Sequence, residues 1–510
     1  MGRRIRWLGV VLAVCFGLVL AQLVNIQMRQ AHALDASPTN PRVAANQYYN
    51  LRGDILAANG EILARSAKAP KGSGSYAYMR QYPTGSLFSQ IVGFDSPFYG
   101  TNGVESEYNR WLVPHSQSPQ NLGQVLTPPS PTTDSVTLTV EPYLQAFAMH
   151  ELATIPSANK DGAIVVLNPK TGAVLAMASN PTYTPNPLVS PNIATEKAAG
   201  HADFTVPDHE GFYPGAPLAT YNPEPPGSTF KVVTTTAVYN LKQSLESFDY
   251  PTHKCTTLPD STKLLCNDAT SPSGATPCGG TIAQMLPPSC DPGYANLGLA
   301  LGGTVLSRQA SLFGYNQRPP IDLPGYVSAS TFPAPGTFSV TKLGPPGLAY
   351  SAFGQQDVKA TALQQAMVAA AVANGGNLMT PHFLSVIRGS NGQVVKRYHP
   401  TVYKHSMSAS AATEVGRLMQ TVATATDGTA YGIFPPSLKV AVKTGTAQTG
   451  LPNLTSDIHD WMIGFAPYTH PEVAVCVLVP FQPSGTYGAT TAGPIMRAVL
   501  TAALHPPPGQ

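Results

Sequence analysis

One apolar run near the N-terminus divides the chain into two very unequal parts. The 18 residues from Trp7 to Val24 are apolar except for Gln22, and a helix needs about 20 such residues to cross a bilayer. Three arginines lie among the first six residues, and positive charge marks the cytoplasmic side of a membrane-spanning helix. The pattern predicts a cytoplasmic tail at 1–6, a transmembrane signal-anchor helix at 7–28 and an exported body after it.

A cleaved signal peptide is the alternative interpretation of this run. The small-x-small sequence Ala31-His32-Ala33 lies well beyond the apolar residues, where cleavage sites rarely function. No second stretch of the sequence approaches spanning length. We therefore expect one retained anchor in the cell membrane, a cytoplasmic N-terminus and an extracellular or periplasmic body.

Composition restricts what the exported body does. Only 11% of the 510 residues are charged and the formal net charge is +3, whereas nucleic-acid-binding proteins concentrate basic charge on one face. Hydrophobic residues make up 43% of the chain, which excludes extensive disorder and supplies material for large cores. The composition predicts a folded protein with no nucleic-acid partner.

Four of the six cysteines lie close together in a Pro-, Ser- and Gly-rich stretch, namely Cys255, Cys266, Cys278 and Cys290. No Cys-x-x-Cys pair occurs among them, which argues against a zinc site, and an oxidising compartment favours disulfides. A disulfide that closes the 255–278 loop is our expectation. The three possible pairings of four cysteines stay open at this point.

Two polar stretches mark boundaries in the body. Asp35 to Pro41 is typical of a juxtamembrane linker, and Thr127 to Asp134 separates a small mixed or β-rich module from a longer segment. We therefore predict an N-terminal module and linker at 29–134 and a main domain at 135–510.

The main domain has strand patterns at both ends and helical patterns between them. The predicted strands are 136–140, 163–167, 173–179, 438–443, 461–465 and 473–480, and the predicted helices include 143–152, 361–373 and 494–504. This order suggests one sheet assembled from the two extremities of the domain, with a helical subdomain inserted.

The sharpest local feature is the segment Pro225-Pro-Gly-Ser-Thr-Phe-Lys231. Pro-Pro-Gly cannot continue a helix whereas the following residues can form one, so Ser228 and Lys231 lie one turn apart on the same face. A desolvated lysine can accept the proton of a serine hydroxyl, and free amides at a helix start can hold an oxyanion. The spacing is weak by itself, because an N-cap serine followed by a surface lysine is far commoner.

Two further segments strengthen this interpretation. Lys443-Thr444-Gly445-Thr446 supplies a cation and hydroxyls for a substrate carboxylate, with a glycine that permits close approach, and Ser289-Cys-Asp291 lies between the two motifs. The order Ser-x-x-Lys, Ser-x-Asn and Lys-Thr-Gly characterises penicillin-binding proteins and class A β-lactamases. On these motifs the chain resembles a class B penicillin-binding protein of the single-anchor actinobacterial type.

Weaker landmarks are similar to that family and occur in its order along most of the chain: Arg52-Gly-Asp-Ile55, Gly93-Phe94, Gly103-Val-Glu105, Asn168-Pro-Lys-Thr-Gly172 and Gly354-Gln355. The resemblance implies an α/β (α+β) penicillin-binding transpeptidase fold. In that fold an antiparallel central sheet is flanked by helices and carries an inserted helical subdomain. A small mixed or β pedestal module of the dimerisation type would precede it, after one transmembrane helix.

The resemblance also implies the reaction, a peptidoglycan D,D-transpeptidation that β-lactams block by acylating the enzyme. Ser228 would be acylated by the D-Ala-D-Ala end of a stem peptide, with Lys231 as the base. Ser289 would relay protons toward the leaving amine. The serine and the lysine suffice for this chemistry, so neither a metal nor an organic cofactor is implied.

The third motif is expected to bind substrate, together with Asp291 of the second motif. Lys443 and Thr444 would hold the terminal carboxylate of the donor together with Thr446, and Gly445 lies between them. The backbone amides of Ser228 and Thr446 would form the oxyanion hole. A membrane glycosyltransferase of the division or elongation machinery is the implied protein partner.

Asp291 departs from the family pattern, which has asparagine at this position. Asparagine both donates and accepts hydrogen bonds, whereas an ionised aspartate only accepts and favours the charged form of a neighbouring lysine. We therefore predict an enzyme slower than its relatives, with a non-catalytic divisome scaffold as the extreme case. The milder alternative is that Asp291 simply accepts a hydrogen bond from Lys231 at little cost.

Other serine acyl-enzymes fit the sequence less well. A D,D-carboxypeptidase shares the acyl-enzyme but passes it to water, and it stays an alternative. A class A β-lactamase uses a glutamate-held water, and Glu414, the one glutamate between the second and third motifs, lacks that context.

Overall fold

The structure, a computed structural model, describes residues 2–25 and 51–507 apart from 72, 74–75, 116–130, 156–159, 209, 268–273, 340–341 and 450–457. The predicted linker at Asp35–Pro41 lies outside the described residues, as do 26–28 of the predicted anchor and 127–130 of the second polar stretch. Helix α1 spans Gly2–Asn25. In the described part of the chain, no helix is both long enough and apolar enough to cross a membrane.

The N-terminal module is a small mixed unit. Its strands are β1 (Ile55–Leu56), β2 (Ile62–Lys68), β3 (Tyr78–Gln81), β4 (Asp95–Ser96) and β5 (Gly100–Thr101), and its helices are α2 (Ser89–Val92), α3 (Gly103–Glu107) and α4 (Asn109–Leu112). The Glu105 carboxylate accepts from Arg52 Nε at 2.7 Å and from Arg80 Nε at 2.5 Å, and all three side chains are buried. Burial opposes the charge on Glu105, but Arg80 and Arg52 outweigh it and lower the pKa of this carboxyl. Two of the sequence landmarks therefore form a buried ion pair that fixes the module.

The remaining elements alternate helices with short strands. The strands are β6 (Ser135–Leu138), β7 (Gly162–Leu167), β8 (Val174–Asn180), β9 (Asp249–His253), β10 (Cys255–Thr257), β11 (Leu264–Cys266), β12 (Cys278–Thr281), β13 (Asn377–Met379), β14 (Leu384–Arg388), β15 (Val394–Arg397), β16 (Val402–His405), β17 (Ala441–Gln448), β18 (Ile458–Ala466) and β19 (Val473–Gln482). The helices are α5 (Pro142–Ala153), α6 (Ile193–Thr205), α7 (Lys231–Leu241), α8 (Ile282–Met285), α9 (Asp291–Leu301), α10 (Gly303–Leu312), α11 (Gly344–Ser351), α12 (Ala362–Ala373), α13 (Ala409–Thr424) and α14 (Ala492–Leu504).

A five-stranded antiparallel sheet in the order β17-β18-β19-β7-β8 forms the centre of the main domain. Two of its strands come from the start of the domain and three from the end, as predicted, but the strand predicted at 136–140 is β6, which belongs to a second sheet. All ten residues of β19 are buried, which requires cover on both faces of the sheet. Helix α12 packs against β7, β18 and β19. Helix α5 packs against β8, α14 packs against β19, and these two helices also contact each other.

Most predicted elements differ from the observed ones by one to three residues at their ends. The strand predicted at 438–443 is the exception, because β17 begins at Ala441 and continues to Gln448. Leu438 ends a 3-10 turn and Lys439 has a left-handed φ of 47°, which prevents an extended strand from starting earlier. The Lys-Thr-Gly motif therefore lies inside a strand rather than between two strands.

A second sheet connects the N-terminal module to the main domain. Strand β6 pairs in parallel with β1 and antiparallel with β14, which gives the order β15-β14-β6-β1-β2-β3. The sheet thus contains strands from both sides of the boundary predicted at 134. The position of that boundary stays a prediction.

The four clustered cysteines form two disulfides, Cys255–Cys266 and Cys278–Cys290. The expected link across the 255–278 loop is wrong, because the hairpin of β10 and β11 places Cys255 directly opposite Cys266. The second disulfide ends at the residue that follows Ser289.

Candidate active site

The serine of the first motif lies on a short 3-10 helix, Gly227–Phe230, and α7 begins directly after it at Lys231. The sequence predicted Ser228 at the helix start, and the structure places it in the single turn before the regular α-helix. Trp461 Nε1 from the central sheet donates to Pro225 O at 2.8 Å, which fixes the chain just before this turn. Ser228 is half-buried, whereas the Lys231 side chain is fully buried.

The Lys231 ammonium lies between the two polar residues of the middle motif. Its Nζ donates to Ser289 O at 2.6 Å, to Ser289 Oγ at 3.0 Å and to Asp291 Oδ1 at 2.6 Å. Asp291 begins helix α9, and its backbone N–H donates to Asn267 Oδ1 at 3.0 Å. The residue that departs from the family pattern thus forms an ion pair with the lysine of the first motif.

Ser289 also contacts the third motif. Its Oγ accepts from Lys443 Nζ at 2.8 Å, and the same Nζ donates to Thr444 O at 3.0 Å. Two accepted bonds occupy both lone pairs of the Ser289 hydroxyl and leave its hydrogen as the one group it can donate. A single hydroxyl therefore connects two lysines that are both fully buried.

Strand β17 carries the third motif along the edge of the central sheet. Among the described strands, its sheet partner is β18 alone, so alternate backbone N–H and C=O groups of β17 face away from the sheet. Gly445 allows the strand to approach the Ser228 turn, because a Cβ at this position would lie 2.8 Å from both Pro226 O and Thr229 Cγ2. A side chain here would push β17 away from the serine.

The two threonines of the third motif have different surroundings. Thr444 is 5% exposed, and its Oγ1 lies 2.7 Å from Thr429 Oγ1. Thr446 is half-buried, and its Oγ1 accepts from Gly488 N at 3.1 Å. Thr446 is therefore the better placed of the two hydroxyls to meet a substrate, and the predicted contact of Thr444 with the carboxylate stays a prediction.

A buried acid lies opposite Thr446 in the sheet register. Asp460 of β18 is directly across from Thr446, so the two side chains share one face. Burial raises the pKa of Asp460 to about 6, and the hydroxyls of Thr491 and Thr486 lower it only in part. Near neutral pH, ionised Asp460 places negative charge beside Thr446, on the same face of the sheet.

The structure brings Lys231, Ser289, Asp291 and Lys443 into one hydrogen-bonded group next to the Ser228 turn. Sequence reasoning missed Asn267 and Thr429, which support this group through Asp291 and Thr444, because nothing in the neighbouring residues of either marks the contact. Among the described residues, no three His, Cys, Asp or Glu side chains are arranged to hold a metal ion.

Comparison with known proteins identifies the family to which the chain belongs. Residues 162–501 match the penicillin binding protein transpeptidase domain, and residues 52–136 match the penicillin binding protein A dimerisation domain. The chain belongs to the penicillin-binding proteins. This penicillin-binding protein is 32% identical over 515 residues to the peptidoglycan D,D-transpeptidase PbpA of Mycolicibacterium smegmatis, and the match covers 99% of each chain. It is 31% identical over 503 residues to PbpA of Mycobacterium tuberculosis, with 96% and 97% of the two chains covered.

Solved structures of a penicillin-binding protein have the same fold as this chain. The ceftriaxone acyl-enzyme of penicillin-binding protein A from M. tuberculosis has a TM-score of 0.76 and 29% identity, and covers 90% of this chain and 100% of that one. The penicillin G acyl-enzyme of the same protein has a TM-score of 0.76 and 30% identity, with 89% and 100% covered. The predicted family and its mixed α/β transpeptidase fold are confirmed.

Proposed function

We propose that Ser228 is the nucleophile through which this peptidoglycan D,D-transpeptidase cross-links stem peptides. The observation that carries the proposal is the hydrogen-bonded chain from Lys231 through Ser289 to Lys443, beside a serine that is itself half-buried. Such a chain moves a proton between two lysines without exposing either of them to bulk water. The peptidoglycan stem peptide is the substrate, and β-lactams acylate the same serine.

Acylation then requires a base, an electrophile and a path for one proton. Ser228 Oγ attacks the carbonyl carbon of the penultimate D-Ala, and its proton passes to neutral Lys231. The outward backbone amide of Thr446 on edge strand β17 and the amide of Ser228 hold the oxyanion. When the C–N bond of the intermediate breaks, the leaving D-Ala amine takes its proton from the Ser289 hydroxyl, which regains one from a lysine.

Deacylation uses the same groups in reverse. The acceptor amine of a second stem peptide attacks the ester carbon of Ser228 and passes a proton through Ser289 to Lys231, and Lys231 returns a proton to Ser228 Oγ as the ester C–O bond breaks. The donor peptide lies along β17, where the outward N–H and C=O groups extend the sheet by one strand. Lys443 and Thr446 hold the terminal carboxylate before the D-Ala leaves.

The first test is the intact mass of the protein after incubation with penicillin G. We expect one stable adduct in the wild type and none in Ser228→Ala, whereas Ser307→Ala, which changes a buried serine of α10, keeps the adduct. A donor pentapeptide with an amine acceptor is then followed by mass spectrometry. Adduct formation in Ser228→Ala contradicts the nucleophile, and release of D-Ala without cross-linked product favours a carboxypeptidase.

We further propose that the protein is attached to the cell membrane by its N-terminal apolar segment, with 1–6 in the cytoplasm. The support is the apolar run at 7–24 and its preceding arginines. A membrane glycosyltransferase is the expected partner, since a transpeptidase links strands that such an enzyme polymerises. Carbonate extraction of membranes from expressing cells tests the attachment, and release of the full chain into the supernatant contradicts it.

A further inference from the structure

A large cleft lies on the main domain, between helices α5 and α14 and the segment that connects α13 to β17. Its volume is about 1200 Å³, above the ~300–1,000 Å³ of typical small-molecule sites. None of the residues that the motifs predicted to act in catalysis lines it. The cleft is therefore separate from the group of residues around Ser228.

Aromatic rings form much of the cleft wall. Helix α5 contributes Tyr143 and Phe147, whose ring centroids are 6.1 Å apart, and the connecting segment contributes Tyr431 and Phe434. Tyr468, in the turn between β18 and β19, completes the set. Rings of this kind bind flat apolar groups through stacked or edge-to-face contacts.

The charges around the cleft have one sign. Lys439 and Arg497 line it, whereas no Asp or Glu is found among its described lining residues. Arg497 Nη1 donates to Ile433 O at 3.3 Å, which leaves the other guanidinium donors for a ligand. Basic side chains around an aromatic wall are complementary to an apolar organic anion.

The wall of the cleft is joined directly to the catalytic strand. Three residues before Gly432 of the wall, Thr429 N donates to Pro287 O at 3.0 Å, and Thr429 Oγ1 lies 2.7 Å from Thr444 Oγ1. Pro287 lies two residues before Ser289. A ligand that shifts the connecting segment therefore acts on both the second and the third motif.

We propose that this cleft is an effector site for small aromatic carboxylates or phosphates, whose binding changes the rate at which Ser228 is acylated. The anionic group binds between Arg497 and Lys439, and the apolar body packs on Tyr143 and Tyr431. The effect on the rate rests on the proposed function of Ser228, whereas binding in the cleft does not.

The test uses the full chain in zwitterionic lipid nanodiscs and the photoreactive anion 4-benzoylbenzoate, with peptide mapping after irradiation. We expect labelled peptides from 431–440 or 497–505, and at least about fivefold less labelling by the uncharged 4-benzoylbenzamide and in the double variant K439Q/R497Q. The control R308Q/K263Q removes two exposed cations outside the cleft and should label like the wild type.

Acylation by a fluorescent penicillin is measured with the same anion in the dark. A rate change of threefold or more in the wild type, lost in K439Q/R497Q, supports the effector site. Labelling spread over the whole surface, or equal labelling by the amide, overturns the cleft as an anion site. Mapped binding without a rate change overturns the effector role. If penicillin never acylates the protein, the proposed function of Ser228 is refuted, and the peptide mapping alone then shows whether the cleft binds the anion.

Discussion

The contact between Asp291 and Lys231 makes a quantitative prediction about the rate of acylation. Lys231 must lose its proton to act as the base, and a carboxylate 2.6 Å from its Nζ stabilises the ammonium. Coulomb's law at an effective dielectric constant of ~20 gives an attraction of roughly 6 kcal/mol at this distance. Water reaches the Asp291 side chain, which is 24% exposed, and screens most of this attraction.

Hydrogen-bond energies give a more realistic figure. A bond from lysine to a charged acceptor contributes about 1.5–3 kcal/mol, and a bond to a neutral acceptor about 0.5–1.5 kcal/mol. Asp291→Asn keeps the acceptor and removes the charge, so it destabilises the ammonium by about 1 kcal/mol. Since about 1.4 kcal/mol is tenfold, the neutral lysine and the acylation rate rise roughly fivefold at pH 7.

Stopped-flow acylation by a fluorescent penicillin between pH 6 and 9 measures this effect. The variant should acylate faster at neutral pH, and the acid limb of its pH–rate profile should move to lower pH by somewhat less than one unit. Asp357→Asn makes the same chemical change at an exposed position and should leave the profile unchanged. An equal or slower rate in Asp291→Asn would refute the reasoning and support the milder interpretation, in which the aspartate accepts the bond at little cost.

Three further predictions follow from the packing around the site. Gly445→Ala should slow acylation at least about tenfold, because the added Cβ meets backbone oxygen and a methyl group at 2.8 Å and moves β17 away from the serine. Serine substitution of the Cys278–Cys290 disulfide should cost about 3 kcal/mol of stability from its 12-residue loop and also slow acylation. Asp460→Asn should raise stability by about 1–2 kcal/mol at pH 7.5 and have little effect at pH 4, since the folded pKa of about 6 lies above the unfolded value and stability is lost as the pH rises through this range.

Each of these predictions has a matched control. Gly336→Ala adds a Cβ that meets nothing within 4 Å, so a similar loss in this variant would point to a general effect of alanine rather than to β17. Serine substitution of Cys255–Cys266 opens an 11-residue loop of nearly equal entropy, and equal loss of acylation in both disulfide variants would contradict a local role. Thermal denaturation across pH 4–8 measures Asp460→Asn, and the same gain at every pH would contradict the titration argument.

The sheet was predictable from sequence because its strands carry strong local signals. β7, β8, β18 and β19 are apolar runs with turns between them, and burial on both faces removes the need for alternation. β17 was predicted less well, because Lys443, Thr444 and Thr446 make its sequence polar. β17 forms a strand because all eight of its residues pair with β18. This pairing joins residues that are distant in the sequence, so it does not show as a local preference.

The motif residues of the site were predictable for a different reason. Each motif combines chemistry with a fixed spacing, so Ser228, Lys231, Ser289 and Lys443 could be named before any fold was known. The partners that hold them are ordinary residues: Asn267 lies in a loop and Thr429 follows the end of α13. The contacts of Asn267 and Thr429 depend on how the chain is packed, and so does the pairing of the cysteines. The residues next to them in the sequence therefore predict neither the contacts nor the pairing.

The backbone of Ser289 explains why these ordinary partners matter. Its φ is 60°, a left-handed conformation that costs a non-glycine residue roughly 1–2 kcal/mol, and in it both the carbonyl and the hydroxyl of Ser289 accept from Lys231 Nζ. Such a conformation persists only where the neighbours fix it. Cys290 N donates to Met285 O at 2.9 Å, its sulfur is tied to Cys278, and the next residue along the chain donates its N–H to Asn267. The disulfide and the asparagine therefore hold one strained serine between two lysines.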